Sequence, residues 1–380
     1  MKILFLSHYD NLYGAGRALL NLVLGLKASG RHTPEVVLPA EGEFTEVLKK
    51  NGIKYHIHGL TQWEAIYREP ISFAVKKHKR TAAIKAEIQS LAELFKDKGI
   101  DLIHSNTGVI GQGAMLSEIL GCRHVWHIRE FADLHYGMRF FYPEDEVRKY
   151  YESADRLIAI SDAVKNYLEE KYPAAKVLRI YDGIYTSLQI EKKERSDDCF
   201  SFVCAGYLFK AKRQLDVIEA ARLLKGGGRK FKLVFAGEGD KEYTALLKRK
   251  TESYGLGDVI SFPGFVEDMK GLLADSDAGI IASEYEGFGL VTVEYMLAGL
   301  PVIGRRSGAT PEIVKDGETG ILYDDTEGLA AAMLKLMDDK ETAAEFGRAG
   351  KIRAAEFSVS KNTEEIIKLY DSMEDEGKKL

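Results

Sequence analysis

The chain has 380 residues and a mild net charge of −5, with both signs interspersed. That length exceeds what one hydrophobic core usually organises, so two domains are expected, and the balance of charge argues against a nucleic-acid surface. Its three cysteines, Cys122, Cys199 and Cys204, lack metal-ligand spacing and are odd in number, which argues against a disulfide framework. No run approaches the roughly 18 apolar residues of a membrane span, so a cytoplasmic protein is expected.

Lys2 to Ser7 reads as a first strand rather than a signal peptide, because the apolar run stops at Leu6 and polar residues follow. His8 to Tyr13 leads into Gly14-Ala15-Gly16-Arg17. A helical pattern follows in Leu19, Leu20, Leu22, Val23 and Leu26, and Glu35 to Leu38 is the next strand. This is the β–α–β opening of a doubly wound sheet, which binds ligands beyond the carboxyl ends of its strands. The loop sits where a dehydrogenase holds NAD, but Leu19 replaces the last glycine of G-x-G-x-x-G. A tight turn without a ligand is the plain alternative.

Gln62 to Arg80 carries Trp63, Tyr67 and Phe73, then Lys76, Lys77, His78, Lys79 and Arg80. A basic, aromatic-flanked stretch suits an anionic membrane surface; the plainer reading is a solvated helix start. Pro70 interrupts the stretch, and Ala82 to Phe95 reads as an amphipathic helix. Asp101 to His104 is a short strand with Ser105-Asn106-Thr107-Gly108 as its turn. Val125 to Ile128 is another, running into Arg129 and Glu130. His127, at that strand end, can contact a sugar or position a hydroxyl; a core or inter-domain histidine is the alternative. Arg129 and Glu130 are adjacent charges at a loop start, where either can reach an acceptor. Phe131 to Pro143, with Tyr136, Phe140, Phe141 and Tyr142, is a candidate acceptor wall or else a hydrophobic anchor. Leu157 to Ile160 is a strand, Ser161 a good N-cap, and Val177 to Ile184 closes the first half with Asp182 in a turn. Lys192 to Asp198 is a charge run without apolar periodicity and is expected to be the linker.

Phe200 to Ala205 begins a second sheet, and the segment after it carries Lys210, Lys212 and Arg213. Lys232 to Ala236 is a strand ending in Gly237-Glu238-Gly239-Asp240. Val259 to Pro263 is another, ending in Gly264-Phe265-Val266. Ala278 to Ala282 is a buried strand. Ser283 to Pro301, SEYEGFGLVTVEYMLAGLP, then passes through a turn with Gly287 and Gly289. From Leu290 it becomes a helix with Leu290, Val293, Met296 and Leu297 on one face. Glu286 lies in the loop and Glu294 about one turn into the helix. Free amides at Phe288, Gly289 and Leu290 can face a diphosphate where the helix dipole favours negative charge. A carboxylate can accept two hydrogen bonds from a vicinal diol, such as each end of a nucleotide sugar carries.

Glu286, seven intervening residues and Glu294, with Gly287-Phe288-Gly289-Leu290 between and Gly299-Leu300-Pro301-Val302 after, resembles the signature of the GT4 family of retaining glycosyltransferases (glycosyltransferase group 1). Gly206 to Ala220, Gly308 to Glu312 and Asp316 to Gly320 are similar to further family segments, so the resemblance spans nearly the whole chain. It implies an α/β fold of the GT-B type, two Rossmann-like doubly wound domains facing a central cleft. Residues 1–187 would form the acceptor side and 188–357 the nucleotide-sugar side, with a C-terminal helix at about 358–380 packing back on the first domain. The implied reaction is retaining and metal-independent and needs no cofactor. It moves a sugar from a nucleotide-sugar donor, a UDP- or GDP-sugar, to a hydroxyl of a glycan or lipid-linked acceptor. Polysaccharide, lipopolysaccharide or glycolipid synthesis is the implied setting, with peripheral contact at the inner membrane face and no nucleic-acid partner.

Residue by residue, the resemblance makes Glu286, Lys212 and His127 the catalytic set, with Lys212 offsetting charge on the leaving diphosphate. Glu294 would hold the ribose diol. Gly16, Gly237, Glu238, Phe265, Gly287, Phe288, Gly289 and Leu290 would line the donor, and Gly14, Asn106, Arg129 and Glu130 would face the acceptor. Tyr207 stands where the family has an arginine, leaving Lys210, Arg213 or the helix N-terminus to supply that charge. Retention with no obvious nucleophile fits departure and attack on one face of the sugar. The glutamate stretch argues against a GT-B epimerase, and the lack of an apparent cofactor-anchoring lysine against a phosphorylase. Leu19 and the second-half motifs argue against an NAD-dependent oxidoreductase. A non-catalytic nucleotide-sugar-binding protein of the same fold stays open because of Tyr207.

Overall fold

The computed structural model describes residues 1–12, 14–67, 70–131, 133–134, 137–185, 190 and 199–377. Tyr13, Tyr136, the linker expected over Lys192 to Asp198, the 187/188 boundary and the chain beyond 377 lie outside the described residues. The chain divides into two compact units, Met1–Ile184 with Ser358–Leu380, and Tyr185–Phe357.

The first unit contains β1 (Lys2–Leu6), β2 (Thr33–Leu38), β3 (Lys54–Ile57), β4 (Glu64–Ile66), β5 (Leu102–Ser105), β6 (Arg123–Ile128), β7 (Met138–Phe140), β8 (Arg156–Ala159) and β9 (Val177–Arg179). Seven of these form a parallel sheet in the order β3-β2-β1-β5-β6-β8-β9. Continuous apolar runs such as Ile3-Leu4-Phe5-Leu6 suit this sheet because helices cover both faces, and all four residues are fully buried. On one face Leu19, Leu22, Val23 and Leu26 of the helix Gly14–Ser29 meet Ile366, Tyr370 and Met373 of the helix Val359–Gly377. On the other, Leu91 and Phe95 join Leu4, Leu6, Ile103 and Leu116. Strand order reverses between β1 and β5, so the loops after these two strands diverge and leave room for a ligand.

Three details depart from the sequence reading. The helix expected from Ala82 begins at Pro70 and runs unbroken to Phe95. Proline at a first helical position is pre-organised and gives up only an amide that has no partner anyway. Trp63, read as part of a surface stretch, is fully buried; its indole NH donates to the Gly108 carbonyl at 2.8 Å. The aromatic loop after Phe131 is in part a strand, because β7 pairs antiparallel with β4, Glu64 opposite Phe140. Phe131 and Phe141 are buried, so they anchor the loop to its own unit rather than wall a site.

The second unit contains β10 (Phe200–Ala205), β11 (Phe231–Ala236), β12 (Ile260–Gly264), β13 (Ala278–Ile281), β14 (Val302–Arg305) and β15 (Gly320–Tyr323), all parallel in the order β12-β11-β10-β13-β14-β15. Its core runs through Phe202, Phe235, Val217, Leu247, Ile280, Ile303 and Met333. Here the order reverses between β10 and β13. The fold class read from sequence, an α/β chain of two doubly wound halves, is what these two sheets form.

Candidate functional site

The switch point of the second unit gathers the sequence's charged loops. The loop after β10 ends in a short 3-10 turn, Lys210–Lys212, and the loop after β13 carries Glu284 and Glu286. A backbone bond from the Glu284 amide to the Ala211 carbonyl, 3.1 Å, ties the loops together. Lys212 Nζ then reaches Glu286 Oε2 at 2.9 Å, with the two side chains 24% and 14% exposed. Arg213 holds Asp216 at 2.8 Å and Glu284 at 3.2 Å. Among the described residues it is the one non-glycine at positive φ, 53°. A left-handed backbone at such a residue costs of order 1–3 kcal/mol and persists where the surroundings enforce it, often at functional sites.

Two glycines let the walls of this site approach. Gly237, after β11, has φ 148°, and a Cβ there would lie 2.1 Å from the Gly206 carbonyl oxygen. Gly308 has φ 56°, and a Cβ would sit 2.6 Å from the Glu286 carbonyl oxygen and 2.7 Å from its amide nitrogen. The Ala309 amide donates to that carbonyl at 2.8 Å, so the turn after β14 holds Glu286 from behind. Gly289, at φ 83°, caps the helix Leu290–Leu297, whose first turn carries no acidic residue. Its leading amides therefore present positive potential, with the Glu286 carboxylate of the preceding loop close beside the Gly289 cap. Phe288 is 2% exposed and packs against Phe357, ring centroids 5.5 Å apart, so it contributes an anchor and a backbone amide. Tyr295, next to Glu294, is fully buried and accepts from the Ala205 amide at 2.7 Å, which fixes the helix on β10. Glu294 is half-buried, whereas Tyr207 and Phe265 are 58% and 52% exposed.

The switch point of the first unit holds a buried polar network. Asn106, after β5, donates to the Ala15 carbonyl at 3.0 Å and so fixes the Gly14–Gly16 turn after β1. It accepts from Arg129 Nη2 at 3.1 Å. Arg129, at the end of β6, also donates to Asp182. His127 is fully buried, with Nδ1 3.3 Å from His104 Nε2 and 3.3 Å from Arg129 Nη2. Its Nε2 has no hydrogen-bond partner among the described residues. Burial, then the charge of Arg129, holds the ring's pKa well below its usual value. Glu130 accepts from the Gly108 amide at 2.6 Å. It lines a small cavity with Phe140, Tyr151 and Tyr172, and burial pushes its pKa up to about 7.

Residues 13–188 match the family Glycosyltransferase Family 4, and residues 187–353 match Glycosyl transferases group 1. The chain belongs to the group 1, family 4 glycosyltransferases. EpsD of Bacillus subtilis (strain 168), whose name carries glycosyltransferase as a provisional assignment, is 27% identical over 352 residues, 86% of this chain and 91% of that one. N-acetyl-alpha-D-glucosaminyl L-malate synthase of Bacillus anthracis is 34% identical over 167 residues, 43% of this chain and 42% of that one. In fold the enzyme is similar to HepE of Anabaena in complex with UDP and glucose, TM-score 0.77 at 23% identity, covering 98% of this chain and 100% of HepE. The glycosyltransferase therefore has the GT-B fold.

The enzyme's expected site residues fall into two groups, one in each unit. Lys212, Gly237, Glu238, Phe265, the run Gly287 to Leu290 and Glu294 lie on loops and a helix of the second unit, and Glu286 is drawn into an ion pair with Lys212. Gly14, Gly16, Asn106, His127, Arg129 and Glu130 surround the switch point of the first. Arg129 is not a free cation there: its side chain is 5% exposed and bound to Asp182 and Asn106. Nor can Arg213 easily replace the missing arginine at Tyr207, since Asp216 and Glu284 hold it, whereas Lys210 is exposed. Sequence reasoning missed His104, the role of Asp182 as a partner for Arg129, and Tyr370, whose hydroxyl lies 2.6 Å from His104 Nδ1. The one available signal was opposite charge at two strand ends, which says nothing about distance.

Proposed function

We propose that this glycosyltransferase is retaining and metal-independent, that its second unit binds a nucleotide-sugar donor and that its first unit takes the acceptor. The observation that carries this reading is the Lys212–Glu286 pair at a sheet switch point, beside the amide-bearing end of the helix Leu290–Leu297. Glu294 would accept from the ribose diol, and Glu286 from a sugar hydroxyl. Lys212 and the amides of Phe288 to Leu290 would meet the diphosphate. In the step, the bond from the anomeric carbon to the diphosphate oxygen breaks, and the acceptor oxygen bonds to the same face of that carbon. The acceptor's proton passes to the departing diphosphate, whose growing negative charge Lys212 offsets. HepE's complex with UDP and glucose favours a UDP-sugar.

Thermal unfolding against UDP-, GDP-, ADP- and dTDP-sugars, with Glu294→Ala alongside, tests the donor site. Ligand bound only to the native state raises the melting temperature, by about 2.7 kcal/mol of stability at a hundredfold excess over Kd. One nucleotide should stabilise the wild type and not the variant. No shift with any donor at millimolar concentration would overturn the reading.

The acceptor is proposed to be a glycan or lipid-linked hydroxyl, reached at an anionic membrane surface. No helix among the described residues is long and apolar enough to cross a membrane. The helix Pro70–Phe95 buries Ile84, Ile88, Leu91 and Phe95, while Ile71 and Val75 near its start are 82% and 53% exposed beside exposed Lys76, Lys77 and Lys79. Apolar side chains followed by cations match the interface of an anionic bilayer. The wild type should float with phosphatidylglycerol vesicles, and the Ile71→Asp, Val75→Asp double variant should not. Equal recovery of both with phosphatidylglycerol vesicles would refute membrane contact through this helix.

A further inference from the structure

His127 ends a run of buried hydrogen bonds whose direction is fixed by the chemistry of its members. Arg129 Nη2, 3.3 Å from His127 Nδ1, can only donate, since a guanidinium has no acceptor. Nδ1 must therefore be the ring's lone pair, and its proton sits on Nε2. An imidazolium would aim an N–H at the guanidinium and is excluded by the same contact. His104 Nε2 faces that lone pair at 3.3 Å, so it carries a hydrogen. His104 Nδ1 is then the acceptor, and the Tyr370 hydroxyl, 2.6 Å away, donates to it. All three side chains are fully buried, and both histidines are held neutral by burial first and by Arg129 second. Among the described residues of this unit the nearest carboxylate oxygen to His127 Nε2 is that of Asp182, at 3.9 Å, beyond hydrogen-bond distance.

We infer that Tyr370 and His104, with Arg129, are positioning residues that lock His127 as its Nε2–H tautomer and reserve that N–H as a donor to an oxygen of the bound ligand. The inference rests on the reading of the first unit as part of the sugar-transfer site. It excludes one role within that site. With Nδ1 committed to two donors and Nε2 already protonated, His127 cannot take the acceptor hydroxyl's proton, which must leave by another route. The order of the relay also gives the helix Val359–Gly377 a part in the chemistry, through a residue 266 positions from His104 in sequence.

Long-range proton–nitrogen correlation spectra of the full chain labelled at histidine test this without any substrate. Peaks are assigned by comparison with His104→Gln and His127→Gln. Both rings should show protonated Nε2 and bare Nδ1, unchanged between about pH 6 and pH 8. A protonated Nδ1 at His127, or titration of either ring in that window, would overturn the relay. Tyr370→Phe removes one hydroxyl. It should leave His104 protonated at Nε2 but shift its Nδ1 resonance, which has lost a donor, and lower kcat/KM with the stabilising nucleotide sugar by about fivefold, as loss of one buried hydrogen bond does. An unchanged Nδ1 resonance in this variant would refute the role of Tyr370. His127→Gln keeps a donor and should retain activity within about tenfold, whereas loss of a general base costs about 10²–10⁴-fold. If no nucleotide sugar binds, the spectra still decide the relay, so its failure and that of the transfer reading are separable.

Discussion

Glu64 allows a quantitative test of the first unit. It is fully buried on β4, between the fully buried Trp63 and the edge of the sheet pair with β7, and neither carboxylate oxygen has a hydrogen-bond partner among the described residues. Burial first, and the nearby Glu130 second, push its pKa from 4.5 up to about 8. A rise of that size is worth about 5 kcal/mol of preference for the protonated form in the folded state. The sign follows from proton binding: the folded chain holds this proton where the unfolded chain has released it. The contribution is fully present below pH 4.5, falls as pH rises from 4.5 to about 8, and is flat above. Between about pH 6 and pH 9 the wild type should lose about 3 kcal/mol from this residue alone. Glu64→Gln has no charge to develop, so the stability gap between variant and wild type should move in the variant's favour by about that amount over the same interval. The assay is urea unfolding followed by tryptophan fluorescence. The chain has two tryptophans, Trp63 and Trp126, both in the first unit, so the signal reports that unit. A gap that is constant with pH, or that moves the other way, would refute the argument.

Lys212→Ala should lower kcat by about 10²–10³, the usual cost of one preorganised charge-stabilising group. It should leave stability within about 1 kcal/mol, because the pair with Glu286 is partly exposed; steady-state rates with the stabilising donor, beside a thermal melt, check both. Asp182→Asn leaves the buried Arg129 charge without its counter-ion and should cost about 3 kcal/mol in urea unfolding. Arg129→Met combined with Asp182→Leu should recover most of that loss, and failure to do so would mean that the pair is not acting as a unit. Gly308→Ala forces a Cβ into the backbone of Glu286, and with φ at 56° it should cost about 1–3 kcal/mol. The same variant should abolish the nucleotide-sugar thermal shift, and a normal shift would show that Glu286 does not depend on this turn.

The architecture was legible because each half announces itself in buried strands followed by glycine-bearing turns, as in Lys2 to Gly16 and Phe200 to Lys212. The donor-side stretch was legible for a local reason: Glu286, Gly289 and Glu294 lie within nine residues, where strand, turn and helix spacing convert directly into geometry. The first unit's polar network was not. Asn106 meets Ala15, Arg129 meets Asp182 and His104 meets Tyr370 across separations of 91, 53 and 266 residues, and no periodicity relates such pairs. Trp63 misled because composition marks a stretch as interfacial without saying which side chains turn inward. Pro70 misled because the same residue that breaks a helix interior is favoured at its first turn.

The return of the helix Val359–Gly377 to the first unit has a consequence for how the protein is made. The second unit is an insertion between two parts of the first, so its residues leave the ribosome as one uninterrupted block and it can finish folding while translation continues. The first unit is started earliest and completed last. Until residues 359–373 emerge, Leu19, Leu22, Val23 and Leu26 lack their partners, and this apolar face stays open to chaperones and to self-association. A nascent chain stalled before residue 359 should therefore be protease-resistant in its later-synthesised half and sensitive in its earlier one.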